Sequence, residues 1–219
     1  MTGVRVAAVF DRVDGSGRPW FSPNRWRVAD PELRQALTGY LRAAPLVLRA
    51  HGYEPDPLDP DPRPTVPVGY RSDGTWVWQE ASAYYLDRYG VAPEDALLEH
   101  IHRRGYAAPA ELPAQALADA EAAALSGTPT EDQPRDCEYF AWVREHAPAG
   151  HPPNVLRRCR DEQGHPVDQA LDAGLRWSWT NLLVRNARSG EYDLRPVAEP
   201  EASELIDRRW RLLSSRVEG

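Results

Sequence analysis

Apolar positions along the chain fall into short alternating runs and longer helically spaced ones. Near the start, VRVAAVF (4–10) reads as a strand, and DGSGRP (14–19) supplies Gly and Pro for a turn. Residues 30–41, DPELRQALTGYL, place Leu33, Ala36, Leu37, Tyr40 and Leu41 on one face, behind Asp30 as N-cap and Pro31 at the first helical position. PLVLRA (45–50) reads as a short buried strand. TVPVGYR and TWVW flank Ser72-Asp73-Gly74, and Asp-Gly between β-rich runs predicts a hairpin. Strand alternation puts Trp76 and Trp78 on one face and Thr75 and Val77 on the other. Ala81, Tyr84, Tyr85 and Tyr89 follow at helical spacing and stop at Gly90. Leu97, Leu98 and Ile101 repeat the pattern and stop at Gly105.

A third helical pattern covers 111–127 with an Ala-rich, thin apolar stripe. After it, TPTEDQPRD (128–136) is a polar, Pro-bearing connection. CEYFAWV (137–143) suits either a strand or a helix. LRWSWTNLLVR (175–185) alternates bulky residues as a half-buried strand does, and NARSGEYDLRPV (186–197) reads as its hairpin return. A final helix has Pro200 near its start and Ala202, Leu205, Ile206, Arg209, Trp210 and Leu213 on one face. No fixed-period repeat is present. The expected class is α+β: small sheets or hairpins packed with helices and a closing C-terminal helix. The expected division is an N-terminal α+β domain over 1–125, a linker over 126–136 and a smaller α+β module over 137–219.

Composition narrows the function. All 26 basic residues are Arg, as a GC-rich genome would produce, and the formal net charge is -7. Nucleic-acid binding draws on clustered positive charge, so this balance disfavours it. No apolar stretch approaches a membrane span, and MTGVRVAAVFDRVDG lacks the long apolar region and cleavage site of a signal peptide. The expected location is a bacterial cytoplasm, where Cys137 and Cys159 would remain reduced.

Standard catalytic signatures are absent, and without Lys neither a Schiff base nor a P-loop lysine is available. Cys137, His146, His151 and Cys159 are soft-metal ligands in a short window, yet they lack tight knuckle spacing, so no metal or other cofactor is expected. His100 and His102 project about 200° apart on their helix, so one of them faces solvent. Arg5, Ser72 and Glu191 form the kind of trio that an NAD-handling transferase uses, a pattern that many chains of this length contain. Trp76, Trp78, Tyr84 and Tyr85 form an aromatic corner that suits core packing, with tyrosine hydroxyls at its rim. The Pro-acid segment EPDPLDPDPRP (54–64) reads as an exposed, stiff loop. Its Asp56, Asp59 and Asp61, with Glu131 and Asp132, are the expected contacts for a basic protein partner.

Over 70–106 the chain resembles a group of actinobacterial immunity-type proteins encoded beside polymorphic toxins. Asp73, Gly74, Trp76, Trp78, Tyr84, Tyr85, Gly90, Gly105 and Tyr106 carry the shared pattern. Residues 136–219 resemble small immunity-like modules in their aromatic opening, W-x-x-T strand and PEASELI helix. The resemblance implies a non-enzymatic cytosolic module that binds and neutralises a toxin. A nucleotide- or NAD-using enzyme and a self-assembling structural protein are the other readings the residues leave open.

Overall fold

The structure, a computed structural model, describes residues 3–13, 18–49, 52–61, 63–126, 137–143, 151–161 and 163–217. The fold is α+β, and the chain divides into two compact units. Met1–Phe21 and Asp30–Glu131 make the first, while Ser22–Ala29 and Asp132–Gly219 make the second. Residues 22–29, expected within an unbroken 1–125 domain, therefore belong to the second unit.

In the first unit the elements run β1 (Arg5–Val6), β2 (Arg12–Val13), β3 (Pro19–Trp20), α1 (Pro31–Ala43), β4 (Leu46–Leu48), β5 (Tyr53–Pro55), β6 (Pro64–Pro67), β7 (Tyr70–Ser72), β8 (Trp76–Gln79), α2 (Ala81–Tyr89), α3 (Asp95–Arg103) and α4 (Ala114–Ser126). Helix α1 starts where its sequence dictates. The Asp30 carboxylate accepts the Glu32 and Leu33 amides at 2.9 and 3.2 Å, and Leu37, Tyr40 and Leu41 bury one face. Helix α2 ends on Gly90 at φ 68°, the left-handed region that glycine enters without strain.

Four strands form the main sheet in the order β1-β8-β7-β4, with β1 parallel to β8 and the other neighbours antiparallel. The hairpin pairs Tyr70 with Gln79, Arg71 with Trp78 and Ser72 with Val77. TVPV does not join it: β6 pairs with β5 in a separate ribbon. The central strand β8 is buried on both sides. Trp76 and Trp78 fill one face, while Val77 packs on the other with Val47 and with Ala120 and Ala124 of α4. Two alanines one helical turn apart let α4 lie close to the sheet.

The second unit contains β9 (Cys137–Val143), β10 (Asn154–Arg160), β11 (Pro166–Leu171), β12 (Trp177–Trp179), α5 (Leu182–Ser189), β13 (Asp193–Val197) and α6 (Glu199–Val217). Its five strands are antiparallel in the order β12-β11-β10-β9-β13. Tyr139, Ala141, Val155 and Leu171 point to one face, where Ala202, Leu205 and Ile206 of α6 cover them. Residues 22–29 complete this core. The Trp210 indole donates to the Val28 carbonyl at 3.1 Å, and Tyr139 donates to Asn24 at 3.0 Å. Fully buried Arg27 donates to Asp207, Ser203 and the Arg25 carbonyl, which satisfies its charge and its fork of donors.

The strand predicted through 175–185 stops at Trp179 and the chain turns into α5, where Leu183 takes the buried helical position. Strand β13 pairs with β9 instead of returning along β12. Cys137 and Cys159, expected as free thiols, are opposite each other across β9 and β10 and form a disulfide. The bond closes a loop of sequence separation 22. Replacing either cysteine with serine is expected to remove about 3 kcal/mol of stability, measured as a lower urea midpoint that a reductant reproduces in the parent chain.

Candidate functional site

The aromatic corner is built by three adjoining elements. Trp78 is fully buried, its indole donating to the Leu41 carbonyl of α1 at 3.1 Å, and the Tyr40 ring lies 6.0 Å from it. The Arg5 guanidinium covers the Trp76 ring at 3.9 Å. Tyr85 is buried between Phe10 and Phe21, with ring centroids at 5.0 and 5.3 Å, and Tyr84 meets it edge-on at 5.2 Å. Burial pushes the Tyr85 hydroxyl well above the ordinary phenol range, with the nearby Asp56 charge adding to it. Such a corner offers packed ring faces and no open stacking platform.

Asp56 and Asp59 do not project from the Pro-acid segment as free surface charges. Asp56 is 0% exposed. Its Oδ2 accepts the Tyr84 and Tyr89 hydroxyls at 2.9 and 2.6 Å, and its Oδ1 accepts the Leu58 amide. Asp59 pairs with Arg88 at 2.7 Å. Asp61 remains 72% exposed, beside Arg63 at 2.8 Å. Buried Asp56, and half-buried Asp59 through Arg88, fasten the loop to α2. Glu131 and Asp132 lie outside the described residues.

The turn at Asp73 is a hub that sequence reasoning assigned only to hairpin geometry. Oδ1 accepts the Thr75 and Trp76 amides, both at 2.9 Å. Oδ2 accepts the Tyr40 hydroxyl at 2.5 Å and the His100 Nε2 at 2.6 Å. Because an ionised carboxylate only accepts, Nε2 of His100 carries the proton in this pair. Burial alone would raise the Asp73 pKa, but the hydrogen bonds from Tyr40, Trp76, Thr75 and His100 together bring it below the usual carboxylate value. The same burial and the adjacent carboxylate push the Tyr40 hydroxyl upward. One carboxylate thus ties the hairpin turn to α1 and α3. His102, two residues on, is exposed and meets the Tyr106 hydroxyl at 3.0 Å.

Arg5 lies over Trp76, and Ser72 donates its hydroxyl to the Trp76 carbonyl at 2.7 Å, so both serve the hairpin. Glu191 lies in the second unit, 3.7 Å from Arg185. The thiols of Cys137 and Cys159 are consumed by their bond, His146 lies outside the described residues, and no metal-ligating group of three or more occurs among the described residues. No helix among them is long and apolar enough to cross a membrane.

A residue absent from the sequence-based candidates stands out in the second unit. Trp179 on β12 is 75% exposed. It shares a sheet face with Trp177, whose indole donates to the Pro23 carbonyl at 3.2 Å and whose ring lies 4.4 Å beneath the Arg157 guanidinium. Trp177 is thereby held and Trp179 is presented. The sequence signal was the W-S-W alternation, which shows a shared face without showing which ring is covered. No known protein family, curated protein or solved structure matches the chain.

Proposed function

We propose that the chain is a non-enzymatic protein-binding module, an immunity or accessory protein that neutralises a toxin domain. The observation that carries this reading is Trp179, an indole left in water on an edge strand while its neighbour Trp177 is pinned. Tryptophan is among the residue types that contribute most at binding hot spots. The net charge of -7 favours a basic partner through complementary fields. The resemblance over 70–106 supports the immunity class.

Co-expression tests the reading: the chain is produced together with each toxic polypeptide encoded beside its own gene. Restored growth with one of them is the expected result, and failure to restore growth with any contradicts the proposal. The proposal places the chain in the cytoplasm, and the Cys137–Cys159 bond is the feature that argues against a reducing compartment. Alkylation of thiols in intact cells decides this point, since cysteines protected from the reagent by their bond would move the chain to an oxidising compartment.

A further inference from the structure

The two edges of the second unit's sheet are built differently. Strand β13 carries Asp193, Arg195 and Pro196, with Arg195 in an ion pair to Glu201 at 2.6 Å. Charges and proline are the usual means of keeping a foreign strand off an edge. Strand β12, Trp177-Ser178-Trp179, carries neither, and among the described residues no strand pairs with its outer side.

Hydrogen-bond parity shows which groups this edge presents. The Asp172 amide donates to the Arg176 carbonyl at 2.9 Å, and the Thr180 amide donates to the Asp168 carbonyl at 3.0 Å. The pairs 172/176 and 168/180 are therefore the bonded pairs of the antiparallel ladder, and 170/178, midway between them in register, is bonded as well. Trp177 and Trp179 fall at the alternate positions, so their N–H and C=O groups point away from β11. The outer edge thus offers two backbone donor-acceptor sets with the exposed Trp179 ring beside them.

Resting on the protein-binding reading above, we propose that β12 is a strand-addition site that receives an extended segment of a basic partner protein, with an apolar side chain seated against Trp179. Strand addition draws affinity from the main-chain bonds and specificity from alternate side chains. A second copy of this chain is a poor occupant. Three residues pairing with themselves would bring together little more than two Trp179 rings, each worth roughly 150–250 Å², far below the roughly 1,200 Å² of a stable interface. Each copy would also bring a charge of -7 to the other.

The test uses the full chain and a displayed library of random short peptides. Enriched peptides are expected to alternate apolar and basic residues, and to bind at least tenfold more weakly to the Trp179→Ala chain. N-methylation of the peptide amides that face Trp177 and Trp179 should abolish binding to the parent chain, while N-methylation one residue along should leave it. Peptides indifferent to both changes would overturn the inference. So would sedimentation showing a dimer of the parent chain that Trp179→Ala dissociates, because the occupant would then be a second copy. Growth rescue that survives Trp179→Ala would overturn the docking site and leave the protein-binding reading standing. Peptide binding without any rescue would do the reverse.

Discussion

Replacing Asp73 with alanine is expected to remove about 4 kcal/mol of stability, because the change leaves several buried donors without their acceptor. The Tyr40 hydroxyl and the Trp76 amide are both buried, and His100 loses the group that orients its ring. The loss should appear in urea denaturation followed through the amide resonances of 70–79. The folded-state pKa of Asp73 lies below its unfolded value, so its contribution is present above the unfolded pKa of about 4 and is lost as pH falls through the folded one. The Asp73→Ala chain should therefore lack that part of the acid-side decline. An acid profile parallel to the parent's would show that the carboxylate is not held as described.

Trp78→Ala should be comparably severe, at about 3–5 kcal/mol, since it empties a fully buried indole site and orphans the Leu41 carbonyl. Trp179→Ala, the same chemical change on β12, should alter stability by less than about 0.5 kcal/mol because the ring is already in water. Thermal melts of the two variants separate structural from presented tryptophans. Equal losses would contradict the division.

Local features of the fold were legible because local physics decides them. Asp30 caps α1 through amides two and three residues away, Gly90 supplies a left-handed stop, and Asp73-Gly74 turns β7 into β8. What escaped was set by partners distant in sequence. Asp56 looks like a loop acid until Tyr84 and Tyr89, 28 and 33 residues on, converge on one of its oxygens. Residues 22–29 carry no sign that Asn24, Arg27 and Val28 will meet Tyr139, Asp207 and Trp210. Cys137 and Cys159 are separated by 22 residues, a spacing that fits bonded or free thiols equally, and the β9–β10 register brings them together. Leu182-Leu183-Val184 suits strand and helix alike, so the end of β12 could not be read from periodicity. The candidate site followed the same division. Alternation revealed a shared face for Trp177 and Trp179, and only the Pro23 and Arg157 contacts show that one ring is held.

Amide hydrogen exchange along 176–180 of the free chain tests the open edge most directly. Slow exchange is expected at Ser178 and Thr180, whose amides face β11, and fast exchange at Trp177 and Trp179, whose amides face outward. Uniform protection of all four amides, or slow exchange at the two tryptophans instead, would contradict the open edge.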